Sequence, residues 1–317
     1  MFLKAPDFWY SSPSFWLTLV LKPFSVAYGF IAHRLYKRPY KHNLGSNNQV
    51  IAIGGATVGG SGKTVVVRSL CQTLMNQGLC VAVLSRGYGR SKNDIRQVNI
   101  DTDKYQDVGD EPLMLSKTFP IFVGRDRFEA AKLATNAQYL ILDDGITQRS
   151  LKPHKKIIVL NADQGFGNGE LLPLGPNRLD LEKIKFDIDA ICLIYEKNKG
   201  NKIALELPKD IPVYRGYCKY NFGNLSGRIM PFCGIGFPKK FFQIFSNFEV
   251  CKTMAFPDHY PYKDEDLQQL IHEAARLRAQ LVTTEKDLMR VPEIYRDKIK
   301  TVIVDLVWET QISELFM

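Results

Sequence analysis

The chain has 317 residues, 45% of them hydrophobic and 24% charged, with no low-complexity tract or fixed-period repeat, which excludes a disordered or fibrous protein and favours two folded domains over one core. Its 42 Lys and Arg against 33 Asp and Glu leave a formal charge of +9, which suits a polyanionic partner such as nucleic acid, phospholipid or a phosphorylated substrate. The six cysteines are scattered without a C-x-x-C pair or a Cys/His cluster, which excludes a disulfide framework or a zinc module and reads as buried thiols in a reducing compartment.

Residues 1–40 differ from the rest. FWLTLVL (15–21) and FSVAYGFIA (24–32) are aromatic-rich apolar runs separated by Lys22-Pro23 and followed by the basic stretch HRLYKRPYKH. A membrane span needs about 20 uninterrupted apolar residues, so the Lys-Pro break makes this a poor transmembrane helix. The start MFLKAPDFWYSSP has neither the basic n-region nor the small-residue cleavage site of a secretory signal. The pattern predicts an interfacial membrane segment, with Arg34, Lys37, Arg38 and Lys41 facing anionic lipid. Its alternative is a helix pair packed on the remainder of the protein.

From residue 50 the pattern is strand then helix, repeated. VIAIGG (50–55) precedes a helix from Lys63 to Gln77 with Val66, Leu70 and Leu74 at helical spacing. CVAVLS (80–85), IFVG (121–124), QYLILDD (138–144), KIIVL (156–160) and AICLIYE (190–196) follow as short strands. Strands apolar on both faces, alternating with helices, predict an α/β fold: a mainly parallel, P-loop NTPase-like sheet with helices on both faces. Residues 210–228 break the rhythm and read as a connector of short strands. A second strand-helix alternation then runs from RIMPFCGIG to KTVIVDL. The expected organisation is a membrane-interfacial segment (1–40), a P-loop domain (41–212), a short-stranded hinge (213–227) and a smaller C-terminal α/β domain (228–317).

Between the first strand and helix lies TVGGSGKT, Thr57 to Thr64. A strand, a glycine-rich turn and a helix opening at Gly-Lys-Thr is the context of a phosphate-binding P-loop. Backbone N–H groups of Val58, Gly59, Gly60, Ser61 and Gly62 would converge on phosphate oxygens, Lys63 would reach the β- and γ-phosphates, and the Thr64 hydroxyl would ligand Mg²⁺. Thr57 stands where such loops usually begin with glycine. P-loop enzymes place a carboxylate near the metal at the end of a neighbouring strand, and Asp143 and Asp144 end YLILDD in that position. Asp110-Glu111, in the turn VGDEP, is a second acidic pair, in which Asp110 reads as a general base or as a solvated loop acid. His259, in FPDHY, would put the active site between the domains if it is catalytic; a lone histidine in a polar turn is otherwise exposed.

Together, TVGGSGKT, SRGYGR (85–90), GDEP (109–112), GRDR (124–127), LDDG (142–145), GFGNG with LLPLGP (165–176), FCGIG (232–236), FPDHY (256–260) and TTEKD (283–287) resemble the tetraacyldisaccharide 4'-kinase family of lipid A biosynthesis, as does KAPDFWY near the start. The matches run in order over nearly the whole chain, and in this family Ser or Thr commonly occupies the position of Thr57. The resemblance implies ATP- and Mg²⁺-dependent phosphorylation of the 4'-hydroxyl of tetraacyldisaccharide 1-phosphate, on the cytoplasmic face of a bacterial inner membrane. It implies Asp110 as catalytic base with His259 as its partner, alongside Lys63 and Asp144. It also implies Thr64, Glu111, Asp143 and Asp144 as metal-site residues, and Arg127, with Arg86 and Arg178, as phosphate contacts. Neither nucleic acid nor a protein partner is implied.

Three positions depart from the family pattern. Gln148 stands where DDGFQHR has its histidine, Ile53-Gly54-Gly55 replaces VGN, and Val65 replaces the proline after GKT. The competing readings are a P-loop GTPase or metal-insertion ATPase, a nucleotide-gated membrane scaffold, and a nucleic-acid ATPase. The first lacks an [NT]-K-x-D guanine reader, Thr284-Glu285-Lys286-Asp287 having the wrong order. The last lacks a basic, aromatic-interleaved module outside the N-terminus.

Overall fold

The structure is a computed structural model that describes residues 6–45, 48–197 and 205–316. The opening residues of the N-terminal segment, including Lys4 and Ala5 of KAPDFWY, lie outside the described residues.

The described strands are β1 (Gln49–Gly55), β2 (Val81–Ser85), β3 (Arg96–Gln97), β4 (Ile121–Val123), β5 (Tyr139–Leu142), β6 (Lys155–Asn161), β7 (Ala190–Glu196), β8 (Val213–Asn221), β9 (Arg228–Cys233), β10 (Glu249–Val250), β11 (Met254–Ala255), β12 (Gln280–Thr284) and β13 (Ile299–Trp308). They form one continuous sheet in the order β10-β9-β12-β13-β8-β7-β6-β1-β5-β2-β4-β3, with β11 beside β9. Every pairing is parallel except β13 with β8 and β3 with β4. The α/β class expected from alternating strands and helices is what the chain adopts.

Strand alternation supplies two cores from one sheet, because successive side chains point to opposite faces. On one face Ile51, Ile53, Val81, Val83, Ile141 and Ile157 pack with Val66, Leu70 and Leu74 of the helix Lys63–Asn76. On the other, Val50, Ala52, Ala82, Leu84, Leu140 and Ile158 pack with Ala130 and Ala131 of the helix Arg127–Leu133. The C-terminal half of the sheet repeats the device. Met230 and Phe232 meet the helix Asp264–Arg276 on one side, and Ile229 and Cys233 meet Phe241 and Phe245 on the other.

The connector is more regular than a break in rhythm suggests. β8 is a nine-residue strand that pairs parallel with β7 on one edge and antiparallel with β13 on the other, so the sheet runs through it without a gap. The chain end then returns to the first half, where Ile312 and Leu315 join the core beneath the Lys63–Asn76 helix. Farther along, within the second strand-helix alternation, the stretch KKFFQIFSNF is helical only over Pro238–Gln243, and EVCKTMAF yields only the two-residue strands β10 and β11.

The N-terminal segment corrects the expectation of two runs broken at Lys22-Pro23. Phe15–Tyr36 is one 22-residue helix with Pro23 inside it, capped by Ser14, whose hydroxyl accepts from the Leu17 N–H. An interior proline removes one helical hydrogen bond and crowds one carbonyl, but the remaining bonds carry the helix through. By length and composition the helix can cross a membrane, and only 6% of its apolar window is buried in the protein. Phe15, Trp16, Leu19, Val20, Phe24, Phe30 and Ile31 are exposed. One polar stripe ties it down: Lys22 pairs with Glu170 at 2.6 Å, Ser25 Oγ donates to the Leu171 carbonyl at 2.9 Å, and Tyr28 donates to the Arg178 carbonyl at 3.2 Å. At its end the Arg149 guanidinium lies over the rings of Tyr36 and Tyr40, 4.4 Å and 4.7 Å from their centroids, and donates to the Tyr36 carbonyl. The alternative of a helix pair packed on the protein is not what forms.

Gly54, the position that this chain shares with the VGN pattern, has a packing reason. A Cβ there would lie 2.3 Å from Cγ1 of Ile146, which is buried where the chain turns away from Asp144. Gly54→Ala is therefore expected to destabilise the protein by about 1–3 kcal/mol through overpacking, read as a lower midpoint in urea unfolding.

Candidate active site

The phosphate loop begins on a pinned backbone. Thr57 is 2% exposed and forms a bridge with Asn177, while the Val58 N–H donates to the Pro176 carbonyl at 2.8 Å. The side chain at the loop's first position is thus tucked inside, which is why a threonine serves there. At the other end Gly62 takes the left-handed conformation, φ +84°, and starts the helix; a Cβ on it would come 2.0 Å from Ile194 Cδ1. The first N–H groups of that helix have no acceptor within it and face the loop, where they favour an anion.

Two sets of charged groups converge on this loop. In the first, Lys63 Nζ lies 3.9 Å from Asp144 Oδ1, and Arg178 donates to both Asp144 oxygens at 2.8 Å and 3.1 Å. Burial pushes the Asp144 carboxyl up, but Lys63 and Arg178 outweigh it and hold it below the usual carboxylate range. Asp143, beside it, is 5% exposed and accepts from Ser85 Oγ at 3.2 Å. Burial, and then the charges of Glu111 and Asp144, push it up to about 6. Arg127, 3% exposed, donates to the Gly124 carbonyl, and burial lowers its guanidinium to about 10 against the pull of Asp143 and Asp144. Arg86 is exposed on the loop after β2.

The second set crosses from one half of the chain to the other. Thr64 Oγ1 donates to Glu111 Oε2 at 3.0 Å, and Lys286 Nζ donates to Glu111 Oε1 at 2.7 Å. Lys286 Nζ is also 3.3 Å from His259 Nε2, and His259 Nδ1 is 2.9 Å from Asp110 Oδ2. Asp110, 4% exposed, has Arg290 Nε at 3.5 Å. Burial raises the Asp110 carboxyl, but its hydrogen bond with His259 and the charges of Lys286 and Arg290 prevail and keep it ionised at lower pH than an ordinary aspartate. A buried, ionised carboxylate with an oriented imidazole beside it, near a phosphate loop, is equipped to take a proton from a hydroxyl.

The sequence-predicted residues therefore assemble in one place. Asp110 and His259, 149 positions apart, are in contact. Asp144 is committed to Arg178 and Lys63 and Glu111 to Thr64 and Lys286, whereas Asp143 accepts from Ser85 with one oxygen and keeps Oδ1 free of a hydrogen-bond partner. Gln148 faces its own turn: Oε1 accepts from the N–H groups of Ser150 and Leu151 at 2.8 Å and 3.0 Å, and Nε2 donates to the Leu151 carbonyl. It shapes the loop whose Ser150 Oγ receives the Arg127 N–H at 2.9 Å.

Lys286 and Arg290 were missed as site residues. TTEKD follows the apolar strand β12 as LDD follows β5, and that strand-end context is the signal that marks Lys286; Arg290 carries none. Asp287, fully buried, anchors this corner by accepting from the Gly234 N–H at 2.8 Å, Tyr262 Oη at 2.7 Å and the Arg290 guanidinium.

The residues fit a magnesium nucleotide. Ser61 Oγ, Asp143 Oδ1 and Arg127 Nε are buried at the loop without a hydrogen-bond partner, an acceptor and donor set that a phosphate and a cation would satisfy. Among the described residues no cluster of three or more Asp, Glu, His or Cys side chains is arranged to hold a metal by itself. Mg²⁺ is usually bound by one or two carboxylates together with substrate phosphates and water, so this donor set is sufficient.

A mainly parallel sheet with this loop at the end of β1, and a carboxylate-imidazole pair beside it, defines a P-loop phosphotransferase. The model of the tetraacyldisaccharide-1-P 4'-kinase family matches residues 17–317, and the chain belongs to that family. Relatives named tetraacyldisaccharide 4'-kinase include those of Bradyrhizobium sp. (strain ORS 278), 35% identical over 91% of this chain and 88% of the relative, and of Methylorubrum extorquens, 33% identical over 98% and 97%. That of Methylobacterium nodulans is 37% identical over 92% and 88%. The fold is similar to that of LpxK from Aquifex aeolicus, solved in complex with ATP, with a TM-score of 0.74, 25% identity, and coverage of 94% of this chain and 97% of that one.

Asp287→Ala would take from the buried Arg290 the nearer of its two carboxylates, leaving only Asp110 at 3.5 Å, and would strip the Gly234 N–H and the Tyr262 hydroxyl of their acceptor. The expected loss is about 3–5 kcal/mol of stability, measured as a fall in the midpoint of chemical denaturation.

Proposed function

We infer that the protein transfers the γ-phosphate of ATP to the 4'-hydroxyl of tetraacyldisaccharide 1-phosphate, giving the bis-phosphorylated lipid A precursor (lipid IVA). The observation that carries this reading is the Asp110–His259 contact beside an intact phosphate loop, in a chain of this family.

In the transfer, Asp110 takes the proton of the 4'-hydroxyl as its oxygen bonds to Pγ, the bond from Pγ to the β-bridging oxygen breaks, and ADP leaves. His259 orients Asp110 for this step. The loop's backbone N–H groups with Lys63 hold the β- and γ-phosphates, and Arg127 lies where it can offset their charge. Thr64, Asp143 and Glu111 would hold Mg²⁺, with Asp144 behind them, and the ion when bound supplies further charge neutralisation at the phosphates. Residues 41–212 and 228–317 act as two arms about the connector 213–227, and their approach excludes water from the γ-phosphate.

The Phe15–Tyr36 helix lies in the cytoplasmic face of the bacterial inner membrane. Its polar stripe faces the protein and its exposed Phe, Trp, Leu and Ile side chains face the acyl chains. Arg34, Lys37, Arg38 and Lys41 then meet anionic headgroups.

The test is transfer of labelled phosphate from ATP to tetraacyldisaccharide 1-phosphate in detergent micelles with Mg²⁺. Lipid-dependent label at the 4'-position is expected, and ATP hydrolysis without labelled lipid would refute the acceptor. Asp110→Ala should lower kcat by about 10²-fold or more with ATP affinity nearly unchanged; a variant with full turnover would remove Asp110 from the reaction. Vesicle flotation checks the membrane reading. Replacing Trp16, Leu19 and Phe24 together by Ser is expected to release most of the protein from anionic vesicles.

A further inference from the structure

We propose that Lys286 is a positioning residue for phosphoryl transfer, which holds His259 in the one tautomer able to donate to Asp110 while tying that pair to Glu111. The proposal rests on the kinase reading above and goes beyond it, because Lys286 has no place in the transfer as so far described.

An ammonium has only N–H donors, so a ring nitrogen facing it acts as acceptor. Lys286 Nζ lies 3.3 Å from His259 Nε2, and the same ammonium is anchored on Glu111 Oε1 at 2.7 Å. With Nε2 accepting, the neutral ring carries its proton on Nδ1, the atom 2.9 Å from Asp110 Oδ2, where a carboxylate oxygen accepts it. The opposing group is Asp258, whose Oδ1 lies 3.9 Å from the same Nε2, beyond hydrogen-bond distance and farther than the ammonium. The Tyr88 ring covers the imidazole with centroids 5.5 Å apart. His259 itself sits at φ +55°, a left-handed position that fixes the direction of its side chain.

The two halves of the chain each contribute to this relay. Lys286 stands on the turn after β12, held by Thr284 Oγ1, which accepts from the Asp287 N–H at 2.9 Å, and by the fully buried Asp287. Glu111 stands next to Asp110 and accepts from Thr64 of the phosphate loop with its other oxygen. Lys286 therefore joins the loop that holds nucleotide to the pair that handles the acceptor's proton, through one ammonium and two contacts.

The experiment compares full-length wild type, Lys286→Met and Lys286→Arg. It measures ATP affinity, kcat and KM for tetraacyldisaccharide 1-phosphate in micelles, and the ¹⁵N imidazole spectrum of histidine-labelled protein, with His259 assigned from His259→Asn. For Lys286→Met the expected result is ATP affinity and lipid KM within about threefold of wild type and kcat lower by about 10²-fold. The Nδ1–H signature of His259 should be lost, and Lys286→Arg should recover part of both the turnover and the spectrum. Wild-type kcat in Lys286→Met, an unchanged His259 spectrum, or a loss of ATP affinity equal to the loss of turnover would each overturn the proposal. The spectral arm needs no lipid, so a wild type that does not phosphorylate the lipid would refute the acceptor reading and leave the tautomer result to decide the role of Lys286.

Discussion

The site depends on one line of polar contacts, Thr64 to Glu111 to Lys286 to His259 to Asp110, in which neighbours lie 2.7–3.3 Å apart. Three of its members come from the phosphate-loop half of the chain and two from the other half. Each buried carboxylate in it faces a cation or an imidazole, and such pairing is what makes burial of charge tolerable. If the halves separated, Glu111 would lose Lys286 and Asp110 would lose both His259 and Arg290. The Asp110–His259 contact and the docking of the halves are thus held by the same line of side chains.

The sheet makes that line possible. Because β8 pairs with both β7 and β13, the strands of the two halves belong to one sheet, and the antiparallel β8–β13 pairing reverses strand direction between them, so that β12 and β13 run opposite to β1 and β5. The return of the chain end reinforces this, with Trp308 Nε1 donating to Ser69 Oγ at 2.8 Å and Arg68 paired with Glu285 at 2.7 Å across the halves. Ligand sites at the carboxyl ends of strands are the general outcome of such open α/β sheets.

The Phe15–Tyr36 helix is connected to the same region by a short path. Lys22, Ser25 and Tyr28 hold the segment 170–178, whose Pro176 and Asn177 pin the start of the phosphate loop and whose Arg178 holds Asp144. The segment GFGNG-LLPLGP, which the sequence marked only through its family resemblance, is the piece that lies between the exposed apolar helix and the phosphate loop.

Local chemistry in the sequence determined the strand order of types, the phosphate loop and the acids at strand ends, because two-sided apolar runs, Gly-Lys-Thr and Asp-Asp report conformations set within a few residues. The same reading broke the N-terminal helix at Lys22-Pro23, since it weighed the lost hydrogen bond of Pro23 without the neighbouring turns that carry the helix past it. Composition left Asp110 and His259 open between a working pair and two solvated side chains. The family resemblance alone linked them. Only the tertiary structure decided which groups meet: Lys286 on Glu111, Arg290 beside Asp110, Arg178 on Asp144, and Gln148 folded onto its own turn. For Lys286 and Arg290 the reason is that an ion pair between residues more than a hundred positions apart depends on how the sheet's halves are joined, and no local pattern of residues encodes that distance.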